Sequence, residues 1–224
     1  MSYVIGFDVY GTLVDPMRMK QPLRDLVGDR ADRFLELWRG KQIEYAFRRG
    51  LMRKYENFGV CTKQALEFTT ASLGIDLSHE AREELIKHYQ ELQAFPDVVQ
   101  GIKKLKDAGH TLVAFSNGTE AAVRSLLEQA GVLEHLEAVV SVDDLKTFKP
   151  APEVYQYLAK RLNRAQSETW LVSSNPWDVI GAKSAGLKAA WIKRKPHAAF
   201  DPWEIEADCV VTDMNALADW FQGG

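Results

Sequence analysis

Six short apolar runs punctuate the chain: Tyr3–Phe7, Thr111–Phe115, Ala138–Val142, Trp170–Ser173, Ala189–Ile192 and Cys209–Thr212. Each is bounded by turn residues and lacks strict alternation, the pattern of a strand covered on both faces. Helical spacing fills the gaps between the later runs. Asp97 with Gln100 has capping-box spacing and opens a helix carrying Ile102 and Leu105, stopped at Gly109. Thr119 opens a second with Val123, Leu126 and Leu127, closed by Gly131; Pro152 starts a third, and Trp177 a fourth that ends at Gly186. Strands alternating with helices predict an α/β fold with a doubly wound, mostly parallel, Rossmann-like sheet.

Between the first and second strands the pattern changes. Residues 16–94 hold no convincing strand but several amphipathic stretches; within Phe34–Phe47, residues Leu35, Trp38, Arg39, Gln42 and Ala46 share one helical face. A block of this length is too long for a crossover loop. The expected organisation is a core of residues 1–15 and 95–224, interrupted by a helical cap subdomain of residues 16–94.

Composition narrows the classes without naming one. The 224 residues carry 28 Lys and Arg against 31 Asp and Glu, net −3, and 46% are hydrophobic. That balance argues against disorder, collagen and coiled coil, and against a nucleic-acid partner, which calls for a basic excess. No run approaches the roughly 18 uncharged apolar residues of a membrane span, and the first residues lack the basic flank of a signal peptide. The two cysteines, Cys61 and Cys209, lie far apart, which fits a reducing cytoplasm better than a disulfide framework. The five histidines are scattered without metal-ligand spacing.

Ligands of open parallel sheets bind beyond the carboxyl ends of the strands. Those positions hold Asp8, then Ser116 and Asn117, then Lys149, then Ser173 to Asp178. A carboxylate at the rim, followed by the Gly11-Thr12 turn, suits a nucleophile; the plainer alternative is a strand-end Asp that caps its turn. Lys149, its backbone restricted by Pro150, would keep Asp8 ionised if the two meet, though a lone lysine is ordinarily a solvated one. A competing arrangement is an incomplete nucleophile elbow, Ala114-Phe115-Ser116-Asn117-Gly118, with Asp178 and His197 following Ser116 in triad order. It lacks the first glycine and leaves Asp8 without a task.

Four segments together carry a resemblance. Phe7-Asp8-Val9-Tyr10-Gly11-Thr12-Leu13, Phe115-Ser116-Asn117-Gly118-Thr119, Lys149-Pro150 and Ser173-Ser174-Asn175-Pro176-Trp177-Asp178 resemble, in order and spacing, the four motifs of the haloacid dehalogenase superfamily. Most members are magnesium-dependent phosphohydrolases, with a second Asp two residues after the nucleophile and a Gly-Asp pair in the fourth motif. Here those places hold Tyr10 and Ser173-Ser174, so the carboxylates a hard cation wants are missing. The run Leu37-Trp38-Arg39-Gly40-Lys41-Gln42, with Tyr10 and Phe58, is similar instead to the L-2-haloacid dehalogenases, although Gly40 stands where that family often has a larger polar residue.

That resemblance implies an enzyme without metal or cofactor, acting on a small halogenated carboxylic acid and water, and a cytoplasmic homodimer. Asp8 would displace halide from the α-carbon with inversion, and water would then hydrolyse the aspartyl ester. The implied catalytic set is Asp8, Thr12, Arg39, Lys149, Ser173, Asn175 and Asp178. Substrate binding would fall to Tyr10, Arg39, Ile43, Phe58, Ser116, Asn117, Tyr155 and Trp177, with Tyr155 and Thr12 at supporting polar positions. A halide needs no general acid, but it does need donors aimed at its developing charge. Arg39, Asn117 and Lys149 could supply them, with helix-start amides after Asn117 for the substrate carboxylate. A phosphohydrolase with an altered metal site and a non-catalytic protein on the same fold remain as alternatives.

Overall fold

A central strand, β1 (Val4–Phe7), is flanked on one side by β2 (Thr111–Ser116) and β3 (Ala138–Ser141), and on the other by β4 (Thr169–Ser173), β5 (Lys188–Ile192) and β6 (Cys209–Val211). All five pairings in this computed structural model, which describes residues 2–223, are parallel. Every residue of β1 is buried, which is why its sequence shows an apolar run without alternation. The register aligns Phe7 with Ala114 and Val172, so the residues just beyond β1, β2 and β4 reach the same rim. Asp8 N–H extends the ladder by one bond, donating to Val172 O at 2.9 Å.

Helices cover both faces: α5 (Val98–Asp107), α6 (Glu120–Gln129), α7 (Pro152–Arg161), α8 (Pro176–Ser184) and α9 (Met214–Gly223). One core joins Ile5 and Phe7 to Ile102, Leu105 and Leu217. The other joins Phe115 and Leu171 to Tyr155, Leu158 and Val179. Gly6 sets the second spacing, since a Cβ there would come 2.7 Å from Leu158 Cδ2.

Residues 16–94 contain four helices, α1 (Lys20–Val27), α2 (Ala31–Leu51), α3 (Phe58–Ser72) and α4 (His79–Gln90), and no strand. The chain leaves and returns at one place, where Asp15 N–H donates to Gln93 O at 2.9 Å and Phe95 N–H to Leu13 O at 3.0 Å. The expected face of α2 is buried at Leu35, Trp38, Gln42 and Ala46, with Phe34 joining it. It docks on α3, where Trp38 Nε1 donates to Thr62 O at 3.0 Å and Gln42 Nε2 to Thr62 Oγ1 at 3.2 Å.

Strand and helix ends agree with the sequence pattern to within a residue or two, the usual uncertainty of such limits. Thr119 caps its helix as expected, accepting from Ala122 N–H at 3.4 Å. The Asp97 capping box is corrected. Asp97 has helical backbone angles and makes no side-chain cap; Arg194 and the Met214 N–H have taken its carboxylate. Local spacing had no view of a partner so distant in sequence. Cys61 and Cys209 are both free and buried. Among the described residues no helix is long and apolar enough to cross a membrane.

Candidate active site

The rim of β1, β2 and β4 brings two carboxylates and one ammonium together. Lys149 sits in the turn before α7, which Ala151 N–H closes by donating to Phe148 O at 3.0 Å. Its Nζ donates to Asp8 Oδ1 at 3.2 Å, Asp178 Oδ2 at 3.0 Å and Phe115 O at 2.9 Å, and lies 4.4 Å from the Phe115 ring centroid. All three ammonium protons thus have acceptors, which is what a charge with 1% of its surface exposed requires. The plainer reading of Lys149 as a surface lysine is overturned.

Burial works to lower the Lys149 pKa, but the carboxylates of Asp178 and Asp8 outweigh it, and the net direction is up. For Asp178 burial raises the carboxyl; the Asp8 charge adds to that, and Lys149 opposes it without reversing it. Both shifts run upward for different reasons, burial with the Asp8 charge for Asp178 and the two carboxylates for Lys149.

Asp178 is fixed from its far side by Tyr155, whose hydroxyl donates to Oδ1 at 2.8 Å. Gly181 permits this, since a Cβ there would fall 2.5 Å from the Tyr155 oxygen. Tyr155 is completely buried and absent from the cavity wall. The expectation that it binds substrate is therefore corrected: it lies behind Asp178, too deep to touch a ligand.

Asp8 keeps 8% of its surface exposed and turns it to the cavity. Its Oδ2 accepts from Thr12 Oγ1 and from Asn175 Nδ2, both at 2.9 Å. Ser174 N–H donates to Thr12 Oγ1 at 2.9 Å, filling an acceptor site of that hydroxyl and leaving its proton for Asp8. Ser174 Oγ donates to Gly11 O at 2.7 Å, clamping the turn where Gly11 takes φ +88°. Asn175 stands at the N-cap of α8 but makes no side-chain cap; its amide serves Asp8 instead. Ser173 is completely buried, and its Oγ accepts from Asn175 N–H at 3.1 Å. It steadies Asn175 and does not line the cavity.

The cavity over Asp8 is walled by residues of the sheet rim and of the helical insertion together. Tyr10, Ser116, Asn117, Asn175 and Trp177 come from the core, and Arg39, Gln42, Ile43, Phe58 and Tyr89 from the helical insertion. Asn117 Oδ1 accepts from Lys149 N–H at 2.9 Å, which turns the amide Nδ2 toward the other side. Ser116 Oγ accepts from Gly118 N–H at 3.1 Å. Trp177 packs edge-on against Phe47, with centroids 5.1 Å apart.

Arg39 reaches across the junction: a Cβ on Gly11 would lie 3.6 Å from its Nη2. Its Nη1 donates to Tyr89 Oη at 3.2 Å, and Tyr89 donates on to Gln42 Oε1 at 3.1 Å. Tyr10 stacks on Tyr89, with centroids 5.3 Å apart and planes 12° from parallel. Burial pushes the hydroxyls of both tyrosines further up, so they stay protonated.

Tyr89, Gln42 as a wall residue, and Ser174 as a clamp were missed in the sequence. Gln42 had a signal in its place on the Arg39 face of α2, and Ser174 in its place within the motif after β4; Tyr89 had none.

Two alternatives lose their footing here. The Ser116 triad is corrected, because both Asp178 oxygens are engaged by Lys149 and Tyr155, and among the described residues His197 has no hydrogen bond to either Ser116 or Asp178. The residues also do not fit the magnesium site of the phosphohydrolases. Tyr10 offers no carboxylate, and the Lys149 ammonium itself stands between Asp8 and Asp178. Among the described residues no group of three or more His, Cys, Asp or Glu is placed to hold a metal ion.

The fold and site define a class: a hydrolase with an Asp-Lys-Asp cluster at the rim of a parallel sheet, beneath a helical insertion. Residues 4–186 match the model of the haloacid dehalogenase-like hydrolases. An (S)-2-haloacid dehalogenase of Pseudomonas putida is 33% identical over 217 residues, 97% of this chain and 95% of that protein. One from Pseudomonas fluorescens is 32% identical over 215 residues, covering 96% and 94%. The structure of L-2-haloacid dehalogenase from Xanthobacter autotrophicus with chloropropionic acid covalently bound superposes with a TM-score of 0.92 at 28% identity, over 100% of this chain and 99% of that one. The chain belongs to the haloacid dehalogenase-like hydrolases and, among them, to the L-2-haloacid dehalogenases.

Proposed function

We propose that this protein hydrolyses short-chain (S)-2-haloacids to (R)-2-hydroxy acids through an ester on Asp8. One observation carries the reading. The cavity over Asp8 offers a guanidinium, amide donors and aromatic carbon, but no carboxyl besides Asp8 itself to protonate a leaving oxygen. Such a wall suits a substrate whose leaving group departs as a stable anion.

In the first step an Asp8 carboxylate oxygen attacks C2 from the side opposite the halogen. The C–O bond forms as the C–X bond breaks, inverting C2, and the electron pair leaves with the halide. Arg39 and the Asn117 amide receive that charge beside the apolar wall of Phe58, while Ser116 and the backbone amides that follow Asn117 take the substrate carboxylate. Tyr10, Ile43 and Trp177 enclose the carbon chain. Lys149 and Thr12 hold the Asp8 oxygens oriented.

In the second step water adds to the Asp8 carbonyl carbon and the ester C–O bond breaks at that carbon, so configuration at C2 is untouched. One water proton passes to the Asp178-Lys149 pair and on to the departing 2-oxygen, which leaves as the hydroxyl; the other is released to solvent as Asp8 returns to carboxylate. Asn175 orients the ester, with Ser173 and Tyr155 supporting Asn175 and Asp178. The helical insertion, residues 16–94, acts as a cap that brings Arg39 over the substrate. A homodimer in the cytoplasm is the form this reading expects.

The test is a single turnover with enzyme in excess over (S)-2-chloropropionate in heavy-oxygen water. Label should enter Asp8 and leave the first product unlabelled. Metal-dependent phosphate release from a generic ester, with no halide from chloropropionate, would overturn the assignment.

A further inference from the structure

Thr12 serves Asp8, but part of what fixes Thr12 lies outside the cavity wall. Within the turn, the N–H groups of Thr12, Leu13 and Val14 all converge on Val9 O, at 3.2, 2.9 and 3.0 Å. The carbonyl of Thr12 is left pointing outward. Arg194, two residues beyond β5, meets it: Nη2 donates to Thr12 O at 2.7 Å.

The other arm of the guanidinium is fixed by Asp97. Arg194 Nη1 donates to Asp97 Oδ1 at 2.8 Å and Oδ2 at 2.7 Å, and Oδ2 also accepts from Met214 N–H at 2.6 Å. The guanidinium carbon stands 4.1 Å over the Phe95 ring, and Phe95 N–H donates to Leu13 O. The two side chains are only 11% and 17% exposed, so solvent screens the pair weakly.

The way Arg194 is turned is informative. Its Nε is buried with no hydrogen-bond partner among the described residues. Carboxylates are commonly met by two guanidinium nitrogens side by side, and a face using Nε would satisfy that atom. Here a single nitrogen spans both Asp97 oxygens, Nε goes unpaired, and Nη2 is free for Thr12.

We propose that Arg194 and Asp97 form a positioning pair for the proposed reaction, holding the turn so that Thr12 Oγ1 stays in hydrogen-bond reach of Asp8. Neither residue touches the cavity over Asp8. The pair also ties that turn to the returning end of the helical insertion at Phe95 and to the start of α9. The inference rests on Asp8 being the nucleophile.

The experiment compares wild type with Arg194→Lys, Thr12→Val and the double variant. Steady-state halide release, single-turnover halide release and thermal unfolding are measured for each. Lysine keeps a charge for Asp97 but has no second arm for Thr12 O. Arg194→Lys should lower kcat and the single-turnover rate about tenfold, the effect of one lost orienting hydrogen bond, with KM within about twofold. In the Thr12→Val background the same change should cost almost nothing further, because the effect runs through the Thr12 hydroxyl.

Multiplicative effects of the two substitutions, an unchanged kcat in Arg194→Lys, or a loss confined to unfolding temperature would overturn the positioning pair. Heavy-oxygen labelling of wild-type Asp8 separates the two failures. An unlabelled Asp8 would bring down the nucleophile assignment beneath, whereas multiplicative losses with a labelled Asp8 would remove the pair alone.

Discussion

Lys149 Nζ lies 3.0 Å from Asp178 Oδ2, and neither side chain has any exposed surface. Two opposite charges so deeply withdrawn are tolerable only together. Removing Lys149 leaves Asp178 uncompensated, at a cost of roughly 3–5 kcal/mol, whereas without Asp178 the ammonium still holds Asp8.

Lys149→Ala is therefore expected to lower unfolding free energy by roughly 3–5 kcal/mol and to abolish halide release, since Asp8 loses the ammonium that holds its Oδ1. Urea unfolding and a halide assay read the two effects. Wild-type stability in this variant would contradict the buried pair.

Asp178→Asn preserves shape and an acceptor for Tyr155, yet removes the buried carboxylate to which the hydrolytic proton is proposed to pass. The expected result is an enzyme that alkylates Asp8 and stops. Intact mass should show the ester as a stable adduct after incubation with (S)-2-chloropropionate. Steady turnover without adduct would place the proton acceptor elsewhere.

Tyr155→Phe keeps the ring against Phe115, 6.0 Å between centroids, and deletes the hydroxyl that holds Asp178 Oδ1. Leaving a buried acceptor unmet costs about 1–3 kcal/mol. Because Tyr155 does not reach the cavity, kcat should fall while KM stays near wild type. A changed KM alone would return Tyr155 to the substrate.

The pH profile follows from the directions of the two shifts. Asp178 must be ionised to accept a proton, and its carboxyl is raised above the usual 3.8, chiefly by burial; the acid limb of kcat should thus lie above that value. Lys149 is raised above 10.5 because its two carboxylates outweigh burial. Its contribution to stability is full below 10.5 and is lost only as pH climbs through the higher folded value. Denaturant midpoints across the alkaline range test this, and a midpoint already falling well below 10.5 would contradict it.

Tyr89→Phe retains the stack on Tyr10 but removes the bonds to Arg39 and Gln42. With Arg39 no longer steered, kcat/KM should fall roughly tenfold, against roughly a hundredfold or more for Arg39→Ala, which deletes the donor itself. Circular dichroism should show both variants folded. Equal activity in Tyr89→Phe and wild type would mean that Arg39 needs no orienting partner.

Much of this protein was legible along the chain. Strand positions came from apolar runs, and Asp8, Ser116, Asn117, Ser173 and Asn175 follow at their ends because a parallel sheet presents those ends on one rim. Those are local consequences of backbone pairing and turn chemistry. The cap face with Arg39 was likewise written in helical spacing.

Other features were decided only by tertiary structure. Tyr155 belongs behind Asp178 because Gly181 lets two helices approach. Lys149 is fully buried because Phe115 O and two carboxylates happen to surround its turn. Asp97 abandons its cap for Arg194, 97 residues away. Hydrogen-bond partners remote in sequence leave no periodic trace. A side chain's burial and partner depend on how whole elements stack, and that is settled only when the cores beneath them close.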